Sequence, residues 1–162
     1  MEIVEGIVTI EDVDAFVDDL RRIELESGAA IQAFDARYVV GHRHIERAVE
    51  LAERAADRGE AIARDQSVEI LLYAAGRRQI NRAFEMGVSE GACPVVAVAV
   101  GGDEAGAADA LTALLEPAET LGAFDETRVR EFFEISDREL AAADATLEDL
   151  VCERVALLVV ER

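Results

Sequence analysis

The stretch that most constrains this fold is CPVVAVAVG, from Cys93 to Gly101. It is apolar at every position before its closing glycine, so neither face of an extended strand would be polar. Such a strand belongs in the middle of a sheet, with cover on both sides. Gly101-Gly102 then reads as a turn. No GK[ST] follows it, so it is not a phosphate-binding loop.

The elements that could cover that strand are legible around it. Residues 2–9 read as a first strand, with Gly6 marking a bulge or a close approach. A helix opening at Thr9 or Glu11 carries Val13, Phe16, Val17 and Leu20 on one face and ends before Gly28. Residues 29–34 read as a second strand, followed by a turn. Residues 41–56 form a strongly amphipathic helix whose inner face is Ile45, Ala48, Val49 and Ala52. Residues 61–63 read as a short strand. After the apolar strand, Asp103 or Glu104 opens a helix that closes before Pro117. Helices follow at 127–133 and after the cap Ser136. A last helix starts from a capping-box-like pair, Thr146 and Asp149. Its ending, ALLVV, reads as a strand, because Val159 and Val160 are β-branched. The expectation is one α/β (α+β) domain over residues 1–162: a small mixed sheet flanked by helices, with a helical C-terminal part.

Charge excludes some functions and conditions others. Thirty-five acids stand against sixteen bases, for a net charge of −19, and every base is arginine. A hydrophobic share of 51 % argues against disorder as the cause. The expected explanation is a protein adapted to a salt-rich cytoplasm. At about 1 M salt the Debye length is only ~3 Å, so any nucleic acid must be held by short-range hydrogen bonds, stacking and shape rather than by long-range attraction. No apolar run is long enough for a bilayer and the N-terminus is acidic, so a soluble, cytoplasmic chain without a signal peptide is expected. Cys93 and Cys152 are expected as buried, reduced thiols.

Two basic patches stand out. SVEILLYAAGRRQINRAFEMG, residues 67–87, reads as two helices joined at Gly76, the second with Ile80, Ala83 and Phe84 inward. Arg77, Arg78, Gln79 and Arg82 then fall on the first turns of the second helix, where free backbone N–H groups suit an anion. The other patch is His42-Arg43-His44 with Arg47, at the start of the 41–56 helix. His42 and His44 are two apart and share no helix face, so they make a poor metal pair. Two readings of these patches remain open: arginines paired with the many surface carboxylates, or phosphate and base contacts. Aromatic partners for bases are scarce, with Tyr38 and Tyr73 the nearest. No catalytic set is evident. No serine lies in a G-x-S-x-G elbow, and no cofactor or metal is expected.

The residues Glu69, Ile70, Leu71, Ala75, Gly76, Arg78, Gln79, Ile80, Ala83 and Gly87, with His44 and Ala48 upstream, carry a resemblance. In order and spacing the whole chain is similar to the small, non-catalytic subunit of the KEOPS complex, the PRPK-binding-protein family, in a haloarchaeal-type form. The resemblance implies a compact α/β subunit that docks on the kinase-like ATPase of KEOPS and captures the single-stranded 3′ CCA end of tRNA. The complex makes the threonylcarbamoyl modification of adenosine, with the chemistry in other subunits. DNA and membranes are not expected partners. Carried over by position and extended by helix spacing, the RNA site would comprise His42, Arg43, His44, Gly76, Arg77, Arg78, Gln79, Ile80 and Arg82. The docking face would lie on the C-terminal helix at Leu147, Leu150, Val151, Arg154, Val155 and Leu158. The alternative is an activator of the kinase-like subunit that does not bind RNA.

Overall fold

The structure, a computed structural model, describes residues 1–160, with nothing stated for the side chains of Ala143 and Val160. In chain order it contains β1 (Glu2–Ile10), α1 (Val13–Ser27), β2 (Ala30–Asp35), a 3-10 turn (Ala36–Tyr38), α2 (His42–Asp57) and α3 (Gln66–Ala75). Then come α4 (Ile80–Ala83) with a 3-10 turn (Phe84–Met86), β3 (Gly91–Val100), α5 (Glu104–Leu114) and β4 (Glu116–Pro117). The chain finishes with α6 (Glu126–Phe132), α7 (Asp137–Ala143) and α8 (Leu147–Val160).

The sheet order is β2-β3-β1-β4. As its apolarity requires, β3 is central. Val96, Val98 and Val100 face a core built with α2, α3, α6 and α8. Cys93, Val95, Ala97 and Ala99 face a second core built with α1 and α5. The mixed α/β class stands, but every pairing is antiparallel, not mixed. The reason is an insertion. β1 and β2, joined through α1, run parallel to each other, yet β3 lies between them and opposes both. Gly6 is a close approach: a Cβ there would lie 2.6 Å from the Glu116 carbonyl, so the glycine admits β4 to the sheet edge.

Two expected strands are absent. Residues 156–160 are the last turns of α8, not a strand. Val151, Val155 and Leu158 recur at helical spacing and are buried, and that packing outweighs the β preference of the terminal valines. Residues 61–63 form a loop gathered onto one carboxylate. Glu69, wholly buried, accepts from the N–H of Ile62 at 3.0 Å and of Ala63 at 2.9 Å. The caps are as the side chains dictate. Asp12 rather than Thr9 or Glu11 caps α1, and Asp103 caps α5. Thr146 and Asp149 close a reciprocal box, each side chain accepting from the other's N–H at 3.1 Å.

Candidate functional site

Gly76 ends α3 in the left-handed region at φ 61°, and its N–H bonds to the Tyr73 carbonyl while that of Arg77 reaches Leu72. A Cβ here would sit 3.1 Å from the Arg154 carbonyl, so glycine is needed both for the turn and for the crossing of α8. Beyond it the chain does not continue as a helix. Arg77, Arg78 and Gln79 form an irregular link, and α4 has only four residues. The expectation of Arg77, Arg78, Gln79 and Arg82 on the first turns of a second helix ending at Gly87 is therefore corrected. Arg82 lies in the last turn of α4, and no extended helix dipole supports an anion there.

The structure separates the basic residues by what holds them. Arg77 turns inward: its guanidinium donates to the Phe132 carbonyl, lies 5.3 Å from the centroid of the Phe132 ring and 3.6 Å from the Glu134 carboxylate. Arg43 is held by Asp149 and, at 3.3 Å, by Glu148, which ties the start of α2 to the start of α8. That pairing holds the Asp149 carboxyl down at about 2. His42 is exposed and paired with Glu46 at 3.1 Å.

His44 is fully buried and cannot touch RNA. Its Nδ1 accepts from the Val40 N–H at 3.3 Å, and its Nε2–H lies 2.7 Å from the Ala74 carbonyl. Burial lowers its pKa to about 4, so the ring is neutral and acts as a clamp between α2 and the end of α3. The two expected patches do meet around Phe132 and Phe133, but through inward-facing groups: Arg77 on one ring and His44 edge-on to the other at 5.7 Å.

Outward, the chain presents a different group. Arg78, Gln79 and Arg82 are exposed. Beside them Ile80 is 45 % and Phe84 57 % exposed, although their spacing had placed both on an inner face. Only Ala83 and Met86 of this segment enter the core. Helical spacing cannot distinguish inner from outer on a helix of one turn, and that is why the sequence concealed Phe84. Tyr38 packs on Phe132 and Tyr73 is fully buried, whereas Phe84 presents an exposed ring.

On α8, Leu150, Val151, Val155 and Leu158 are buried in this chain's own core and Leu147 packs against its edge. Arg154 makes a two-pronged pair with Glu139 at 2.8 and 2.7 Å and donates to the Phe133 carbonyl at 3.1 Å. The expected docking stripe is therefore internal. The large apolar side chains that the described part of α8 exposes are Leu157 at 39 % and Val159 at 36 %.

Among the described residues no group of three or more His, Cys, Asp or Glu side chains is placed to hold a metal ion, and no helix is long and apolar enough to cross a membrane. The thiols of Cys93, buried in the core, and Cys152, half-buried beside Arg43, are both free, with pKa values raised by burial. Compared with known families, residues 10–158 match the one described as kinase binding protein CGI-121. No curated protein matches the chain.

Proposed function

This chain belongs to the kinase-binding protein CGI-121 family, associated with KEOPS, and from that premise we propose that it is a non-catalytic subunit which docks on the kinase-like ATPase of that complex and captures the single-stranded 3′ CCA end of tRNA. It would serve the threonylcarbamoyl modification of adenosine in a salt-rich cytoplasm. The observation that carries the RNA reading is the outward group Arg78, Gln79, Ile80, Arg82 and Phe84. In a protein of net charge −19 it combines arginine forks for phosphates, an amide for a base edge and an exposed ring for stacking. His44, Gly76 and Arg77 support that group from within, and His42 and Arg43 lie in ion pairs at the neighbouring helix start. For the kinase-like partner, the surface α8 offers is Leu157 and Val159, held in place by the buried stripe. Leu157→Glu is expected to weaken co-purification with that partner while leaving the fold intact.

The test is tRNA binding in molar KCl, comparing intact tRNA with tRNA trimmed of its CCA. Intact tRNA alone should bind, and Arg78→Ala should weaken it with the circular dichroism spectrum unchanged. Equal competition by the trimmed form would reject 3′-end capture. The second reading, a protein-only activator, is favoured by the acidity and by the pairing of Arg43, Arg77 and Arg154 within the chain. It would stand if neither tRNA binds even with the kinase-like subunit present.

A further inference from the structure

A ridge and a groove adjoin on one face of the molecule. The ridge is the outer side of α4, where Ile80 and Phe84 stand four residues apart, both exposed, with Arg82 exposed beside them. Among the described residues the Arg82 guanidinium meets one carboxylate, that of Glu85, at 4.0 Å. The groove, of about 420 Å³, runs between α1 and α3 over the outer edge of β2, and Phe84 stands where it meets the ridge. Val17 on one side and Val68 and Leu71 on the other make its walls apolar, with Ile31 in the floor. Three carboxylates, Asp14, Glu24 and Asp65, also line it, with one cation, Arg21. Burial raises the Glu24 carboxyl above its ordinary value, against the hydrogen bond from Ile31, and the charge of Asp65 adds to the rise. Asp65 precedes α3 but makes no capping hydrogen bond, so that carboxylate is not engaged by the helix it begins.

The groove sets conditions on its occupant. An added strand is a poor fit, because the outward backbone groups of β2 are already taken. The Ile31 N–H donates to Glu24 at 2.9 Å, the Ala33 carbonyl accepts from Gln32 at 2.9 Å, and Phe34 is bridged by Gly87. An anion would meet three carboxylates against one cation. The walls call for apolar side chains and the rim for a positive charge. Ile80, Phe84 and Arg82 supply that combination from this chain itself.

We propose that this face docks a second copy of the chain: across a two-fold axis, each copy lays Ile80 and Phe84 along the other's groove and sets Arg82 against its acid rim. A two-fold interface uses the same patch twice, so it needs a patch that is complementary to itself. A ridge and a groove of opposite shape and charge, side by side, meet that need, and both contacts form at once. Exposed apolar groups gathered on one patch mark such surfaces. The net charge of −19 on each copy opposes association in dilute buffer, but at about 1 M salt it is screened beyond ~3 Å and short-range contacts decide. The ridge is the group assigned above to RNA, so pairing and RNA capture exclude each other. Self-association is read without RNA, and its failure would leave the RNA reading standing.

The experiment is sedimentation equilibrium of the full chain in molar KCl, without RNA, at concentrations up to about 1 mM. The wild type should pass from monomer to dimer within that range. Ile80→Glu removes the ridge from an exposed position outside the groove's lining, and Val17→Trp fills the groove from a half-buried one. Each should weaken the dimer by about tenfold or more, with an unchanged circular dichroism spectrum. Mixed in equal amounts, the two variants should associate more tightly than either does alone, because the intact ridge of one fits the intact groove of the other. A wild type that stays monomeric to about 1 mM overturns the proposal. So does a dimer that both variants leave unchanged, or a mixture no tighter than its components. If the chain stays monomeric and Val17→Trp instead loses the kinase-like partner or tRNA, the groove belongs to that ligand and the proposal also falls.

Discussion

His44 and Gly76, both expected from the sequence in an RNA site, act in this fold through structure. The unfolded chain takes up a proton on His44 near pH 6.5, but the folded chain does so only near pH 4. Between those values the unfolded state binds more protons, so stability is present above the window and is lost as pH falls through it. The loss from His44 between pH 7 and pH 5 should be about 2 kcal/mol. Urea titrations of the wild type and His44→Leu at both pH values check this: the variant should lack that part of the slope. For Gly76→Ala, the left-handed conformation costs about 1–2 kcal/mol, and the approach to the Arg154 carbonyl adds to it. Gly59→Ala is the control, with φ 68° and nothing within 4 Å of its Cβ. Gly76→Ala should lower the unfolding free energy by more than Gly59→Ala; equal losses would deny the role of the α8 crossing. Gly76 as a helix end was legible from its place in the sequence. The buried role of His44 was not read, although it stands four residues before Ala48 and eight before Ala52 on the inner face of α2, because a titratable ring at a helix start is ordinarily solvated.

Among the elements, α3 does more than pack. It carries Glu69, whose carboxylate gathers the N–H groups of the 61–63 loop, and it ends beside the His44 clamp. Removing a buried acceptor leaves its donors unsatisfied, at about 1–3 kcal/mol. Glu69→Ala should therefore destabilise the fold by about that much and speed amide exchange at Ile62 and Ala63 before that of β3. Unchanged exchange at those two amides would show that the loop is held by other contacts. Helix α4 makes the opposite point. At one turn it is too short for periodicity to assign a face, and the link that precedes it turns Arg77 inward and Arg78 outward. β3, α2 and the capping box of α8 were readable because each repeats one physical rule over several residues. β4, two residues long and fixed by Gly6, repeats none.

At the scale of the whole molecule, a net charge of −19 sets the conditions of folding. Carboxylates that repel one another destabilise the compact state, and salt screens them. The melting temperature should rise steadily as KCl is added from dilute buffer to molar concentration; a flat or falling curve would contradict adaptation to salt. The sequence by itself determined the central strand, the helices around it, the acidity and the glycine that ends α3. Those follow from local rules: apolar alternation, helical spacing, turn conformation and the count of charges. Only the tertiary structure decided that β3 separates β1 from β2, that His44, Arg77 and Arg154 face inward, and that Phe84 lines an acid-edged groove beside β2. Those outcomes depend on which distant segment lies against each side chain, and contacts between segments far apart in the chain leave no periodic signal in either one.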